Sequence, residues 1–192
     1  MKTDQRTMLS RQLIRNALLA ILYEKKLCKV TVTELCERAQ VNRVTFYKYY
    51  GSPFEVMDEI EWILIRDMEK NIEEIIVSKN PTARELLKRC LIMVKRESET
   101  ILPVLNEQDN HYIDKLLSLP QIESNLKLIM EKSYVSSSYE YMIHFIFPAF
   151  VNVVRFWLGK EDPESPDELI KILSDLLLSI INSMPLSNDS FS

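Results

Sequence analysis

Glycine is nearly missing from this sequence: Gly51 and Gly159 are the only two in 192 residues. Turn-rich all-β folds need many positions of unusual backbone φ, so this scarcity argues against them. With Leu, Ile, Glu and Lys abundant, an all-α chain is expected, and no strand-like alternation persists for long. Histidine is equally scarce, with two copies, and the three cysteines Cys28, Cys36 and Cys90 lack CxxC spacing. There is no glycine-rich phosphate loop, HExxH pair or nucleophile elbow. An enzyme would need an active site assembled from distant carboxylates, so the expectation is a non-enzyme without metal or cofactor. The odd cysteine count reads as free thiols in a reducing compartment. No apolar leader is expected, since Lys2, Asp4, Arg6 and Arg11 interrupt any apolar run near the start of the sequence. The most apolar stretch, Tyr141 to Leu158, contains His144, Pro148, Asn152 and Arg155, which favours a buried helix over a membrane span. A cytoplasmic protein with no membrane partner is expected.

What the sequence has is charge, unevenly placed. The net charge of −4 argues at first against nucleic acid. Yet residues 1–50 hold ten Lys/Arg against four Asp/Glu, or +6, and the remaining 142 hold fourteen against twenty-four, or −10. A basic head on an acidic body is the asymmetry expected when one end meets phosphates. Chance clustering of solvated charges is the plain alternative.

Helix starts are legible because Ser/Thr-x-x-Glu recurs at Thr31/Glu34, Ser52/Glu55, Thr82/Glu85, Ser137/Glu140 and Ser165/Glu168. Such a box satisfies two orphan amides, and Pro53 and Pro166 follow two of the caps where a first-turn proline fits. The spacing predicts a helix from about Thr7 to Lys25 with Leu13, Ala17, Leu18, Ile21 and Leu22 inward. A second covers Val32 to Ala39 and a third Arg43 to Tyr49. The fourth runs from Pro53 towards Ser78 on a stripe of Met57, Ile60, Leu64, Met68, Ile72, Ile75 and Ile76. A fifth spans Ala83 to Ser98. Two or three shorter helices follow, broken near Pro103 and Pro120. Ser138 to Leu158 and Pro166 to Ser183 are the last two, and residues 186–192 form a loose polar tail.

The segment Thr31 to Pro53, TVTELCERAQVNRVTFYKYYGSP, reads as helix, tight turn, helix. In a helix-turn-helix the second helix shows hydrogen-bonding side chains to the major groove and keeps an apolar back. Leu35, Cys36, Ala39, Val41, Val44 and Phe46 can form that back, leaving Arg43, Thr45, Lys48 and Tyr49 outward. Arg reads guanine in bidentate fashion, and Thr reaches a base edge or a thymine methyl. Tyr47, Lys48 and the amides at the start of the second helix, behind Thr31, are placed to hold phosphate. Exposed tyrosines are costly, so Tyr47 and Tyr49 suggest a surface normally covered, whereas Tyr50 is expected to cap the head's own core.

On these residues, with Thr45-Phe46-Tyr47-Lys48-Tyr49-Tyr50 followed by Ser52, the segment resembles the TetR family of bacterial transcriptional regulators. The likeness is specific over about Leu13 to Ile60; beyond it only the helical layout and WLGKEDPESPDEL look familiar. The resemblance implies a three-helix DNA-binding head with a helix-turn-helix, residues 1–52, and a helical-bundle regulatory and dimerisation body, residues 53–185. It implies DNA contacts from Thr31, Thr33, Asn42, Arg43, Val44, Thr45, Tyr47, Lys48 and Tyr49, with base-facing roles for Thr33, Arg43, Val44, Thr45, Lys48 and Tyr49. Two positions depart from the family: Gln40 stands where glycine is usual, and Pro53 where a phosphate-binding lysine is usual. The resemblance also implies a homodimer on double-stranded DNA, built through the last two helices, with repression the usual outcome. A cavity for an unknown small-molecule effector would draw on Trp62, Met68, Met93, His144, Phe147 and Phe150, although such residues are more often plain core. The competing class is a helical adaptor acting through protein partners without specific DNA binding.

Overall fold

A computed structural model describes residues 2–79, 83–107, 112–119 and 139–183. All regular elements among them are helical. They are α1 (Lys2–Leu22), a 3-10 turn (Leu27–Lys29), α2 (Val32–Ala39), α3 (Arg43–Tyr47), α4 (Pro53–Lys79), α5 (Ala83–Arg96), α6 (Ser98–Asn106), α7 (Tyr112–Leu117), α8 (Tyr139–Leu158) and α9 (Pro166–Ser183). The expected tail, the Pro120 break and the start of the helix at Ser138 lie outside the described residues.

Helices α1, α2 and α3 form one unit on the first turns of α4. Its core is Ile14, Leu18, Ile21, Leu35, Phe46 and Val56, all fully buried. Leu13 is not the inward residue that the spacing predicts: it is 41% exposed, and Ile14 takes its place. The two are adjacent and both apolar, so periodicity alone misses the phase by one residue, about 100° of helix. α1 also begins earlier than expected and ends three residues sooner.

The caps form unequally. Ser165 and Glu168 close a full box: the Ser165 amide donates to Glu168 Oε2 at 2.9 Å, and the Glu168 amide donates to Ser165 Oγ at 3.3 Å. Thr31 caps α2 by accepting the Glu34 amide at 3.3 Å, but the Glu34 carboxylate turns to Lys25 at 2.6 Å. Glu55 accepts the amide of Gly51 at 2.8 Å rather than that of Ser52. The caps at Thr82 and Ser137 lie outside the described residues.

Pro103 does not break a helix. It lies inside α6 and is buried. A proline leaves the carbonyl four residues earlier without its helical donor, here that of Glu99. The Tyr23 hydroxyl donates to this oxygen at 3.2 Å. Close by, the Leu27 amide donates to Glu107 Oε2 at 3.2 Å, so α6 and the residue after it are fastened to the start and the middle of the α1–α2 connection. In the body α4 packs on α5, α5 on α9, and α6 on α8. Trp157 anchors the α8–α9 link: it is buried, its indole N–H donates to the Glu164 carbonyl at 2.9 Å, and Lys95 lies 5.4 Å over its ring. The three cysteines are free, and burial pushes the Cys90 thiol up to about 11, which keeps it inert.

Candidate nucleic-acid interface

Two local devices set the recognition segment. Gln40 ends α2 in the left-handed region, φ 54° and ψ 39°, the one positive φ among the described residues. Its amide donates back to the carbonyls of Cys36 and Glu37. This reverses the chain within three residues, at a cost of about 1 kcal/mol for a side chain where glycine would be free. Asn42 then caps α3: its side-chain oxygen accepts the Thr45 amide at 2.7 Å. Phe46 nails the short helix down, fully buried, with Tyr47 edge-on at 5.5 Å and Tyr50 tilted at 5.8 Å.

The opposite face is open. Thr31, Thr33, Asn42, Arg43, Val44, Tyr47 and Lys48 are exposed, and Thr45 and Tyr49 are partly so. Val44 is 81% exposed, which corrects the reading from the residues alone that put it against the core; the outward role implied by the resemblance is the compatible one. Arg43 Nη2 donates to Thr33 Oγ1 at 2.5 Å, so α2 and α3 share one polar surface. Lys48 Nζ stands 5.4 Å over the Tyr49 ring, and the Tyr49 hydroxyl donates to Thr7 Oγ1 at 3.2 Å. Thr7 was not a candidate; only the return of α1 to the end of α3 brings it here. Tyr50 is buried, as expected of a core cap, and burial with Glu59 beside it pushes its phenol above the usual 10.

Electrostatics sharpen the picture. Arg11 and Arg15 are paired with Glu59, Lys25 with Glu34, and Arg38 with Glu24. Arg43 and Lys48, both exposed, face no carboxylate among the described residues, so the recognition face carries cations that no ion pair compensates. Among the described residues no cluster of His, Cys, Asp and Glu could hold a metal ion, and no helix is long and apolar enough to cross a membrane.

Residues 82–179 match the TetR-type family described as the transcriptional regulator C-terminal region. The chain belongs to the TetR family of transcriptional regulators. A solved TetR transcriptional regulator from Streptococcus agalactiae is similar in fold, with a TM-score of 0.70 over 92% of this chain and 98% of that one at 21% identity. No curated protein matches the sequence.

In this TetR-family chain Met93, one of the suggested cavity residues, is buried, Met68 and Phe150 are half-buried against the core, and Trp62 is 41% exposed beneath Lys115. The side chains of His144 and Phe147 lie outside the described ones. The last two helices leave apolar side chains open: Phe145, Ala149 and Phe156 are exposed on one stripe of α8, with the polar Asn152 between Ala149 and Phe156. Ile172 and Leu176 do the same on α9, while Leu169 and Ile170 are buried.

Proposed function

We propose that this regulator is a ligand-responsive repressor that binds a palindromic operator as a homodimer, with residues 1–52 as the DNA-binding head and 53–185 as the regulatory and dimerisation body. The observation that carries it is the outward face of α3: Arg43, Val44, Thr45 and Lys48 project from a helix seated on buried Phe46. Arg43 and Thr45 suit base edges, Val44 suits a thymine methyl, and Tyr47, Lys48 and Thr31 suit flanking phosphates. Thr33, Asn42 and Tyr49 complete the surface.

One head binds weakly. Two heads separated by roughly 34–36 Å enter successive major grooves of one DNA face. The exposed stripes of α8 and α9 support the pairing, because large apolar side chains aligned on a helix mark an interaction surface. Met68, Met93 and Phe150, with Trp62, His144 and Phe147, are the proposed surroundings of a small-molecule effector, and α4 is the route from body to head. The setting is the cytoplasm.

The test is a mobility-shift titration with DNA from upstream of the protein's own gene, at increasing salt. A repressor gives a discrete complex on that fragment that outlasts competitor DNA and weakens steeply with salt. An adaptor working through protein partners gives none.

A further inference from the structure

Carboxylates close together on α4 hold different parts of the molecule. Asp58 and Glu61, three residues apart and so on one helix face, both accept from Lys115 Nζ of α7, Glu61 at 2.6 Å. Glu61 is 3% exposed, the one charged side chain in the core among the described residues. Lys115 also lies 5.7 Å over the Trp62 ring. Glu59 points elsewhere, about 100° around the helix from Asp58. It accepts from Arg11 at 2.8 Å and Arg15 at 2.6 Å, both on α1, and from the Tyr50 hydroxyl at 2.6 Å. Tyr50 in turn packs on Phe46, the residue that seats α3.

These contacts form an unbroken path from the body to the recognition helix: α7, one turn of α4, Tyr50, then Phe46. Both joints are of a kind that holds. Hydrogen bonds to charged groups are about twice as strong as neutral ones, and removing one partner of a buried ion pair strands the other charge. Surface pairs such as Arg38 with Glu24 carry little by comparison.

We propose that Glu59 and Lys115 are positioning residues for DNA recognition. Glu59 sets the pose of α3 on α4 through Tyr50, and Lys115 sets the pose of α4, so that a displacement of α7 in the body reaches the recognition helix. Neither residue touches DNA. The proposal rests on the DNA-binding reading and adds the residues through which the body reaches the head.

Hydrogen exchange on the full chain tests it without DNA. In Lys115→Gln the amides of residues 43–50 exchange about tenfold faster, equivalent to 1.4 kcal/mol of lost protection, while those of α8 and α9 keep their rates. Lys115→Arg, which keeps the cation, restores the slow exchange. Should Lys115→Gln fail to fold, Asp58→Asn, at a side chain that is 56% exposed, removes one negative partner of Lys115 and gives the same pattern at lower amplitude. Unchanged rates at 43–50 in whichever of these variants folds, or a rise spread evenly over the chain, overturn the proposal. On operator DNA, Glu59→Gln and Lys115→Gln each weaken specific binding with the salt slope unchanged, because no phosphate contact is lost. The double variant binds no worse than the weaker of the two singles; full additivity would mean two separate routes and also overturns the proposal. A wild-type chain that forms no specific complex on any DNA removes the function reading alone, and the exchange rates still decide the path.

Discussion

The recognition helix and the far end of the body leave different kinds of surface open. In the head Phe46, Tyr50, Leu35 and Ile14 are buried, and the open face of α3 carries, beside the apolar Val44, groups that hydrogen-bond or carry charge. On α8 and α9 apolar side chains are open: Phe145 and Phe156 of α8 are more than 70% exposed, and Ile172 and Leu176 of α9 are exposed as well. A short polar helix on an apolar seat suits phosphates and base edges, which keep much of their water. An apolar stripe gains only when water leaves it. On the proposed reading the two ends serve two partners, DNA and a second copy of the chain, and a change confined to either end tests that reading.

The largest effect is expected at the apolar end. Phe156→Glu combined with Leu176→Glu puts two charges into the stripe without touching the core. Light scattering should report a monomer where the native chain is a dimer. Operator affinity should fall by about 10²–10⁴-fold, the gain that linking two weak sites provides, while the head of the variant keeps its fold. A variant that remains dimeric would place the pairing surface elsewhere.

At the polar end, Arg43→Ala should leave the dimer and its thermal midpoint intact and cost about 1–3 kcal/mol in operator binding, with specificity relaxed at one base position. The Thr33 hydroxyl, which now receives the Arg43 guanidinium, stays exposed and solvated, so no stability penalty follows. Equal affinity for native and variant protein would remove Arg43 from the contact set. The contrast between the ends is then explicit: one change abolishes assembly and binding together, the other lowers binding alone.

How far the sequence reveals these surfaces depends on how local the cause is. The limits of α2 and the start of α3 are readable because their causes lie within four residues: the Thr31 cap, the Asn42 side chain on the Thr45 amide, the reversal at Gln40. The exposed stripe of α9 follows from its excess of apolar residues. Glu59 was not readable, since its partners Arg11 and Arg15 lie 48 and 44 positions away, and nothing local distinguishes it from Glu55 or Glu69. Pro103 misleads for the same reason: its effect on the helix is cancelled by Tyr23, 76 residues before the carbonyl it bonds. Val44 is ambiguous because an apolar residue suits both a core and a thymine methyl, and only its 81% exposure separates the two.

A smaller effect sits at the turn between those readable helices. Gln40→Gly should raise stability by up to about 1 kcal/mol, because glycine enters the left-handed region without the Cβ clash, although its looser unfolded chain returns part of the gain. Denaturant midpoints of the two proteins measure it. Operator affinity should stay the same, since Gln40 only reverses the chain. A loss of stability would mean that the Gln40 side chain holds something beyond the turn.

The smallest effect is expected from titrating Glu59, because opposing causes act on it. Burial pushes its carboxyl up, but hydrogen bonds from Tyr50 and Arg11 and the charge of Arg15 more than offset this, so it lies below its ordinary 4.5. A carboxylate lowered on folding contributes stability that is fully present above the unfolded value and is lost as pH falls through the folded one. The window therefore lies below about 4.5, and at neutral pH the clamp between α1, Tyr50 and α4 is intact. Native protein and Glu59→Gln should differ most in unfolding free energy near neutrality and converge on acidification, because the amide cannot titrate. Exposed carboxylates such as Glu24 and Glu168 are also lowered, by Arg38 and by Ser165, and they act equally in both proteins. Subtracting one curve from the other isolates Glu59; a difference that stays constant from pH 7 to pH 3 would mean that its charge contributes nothing to the clamp and that only its shape does.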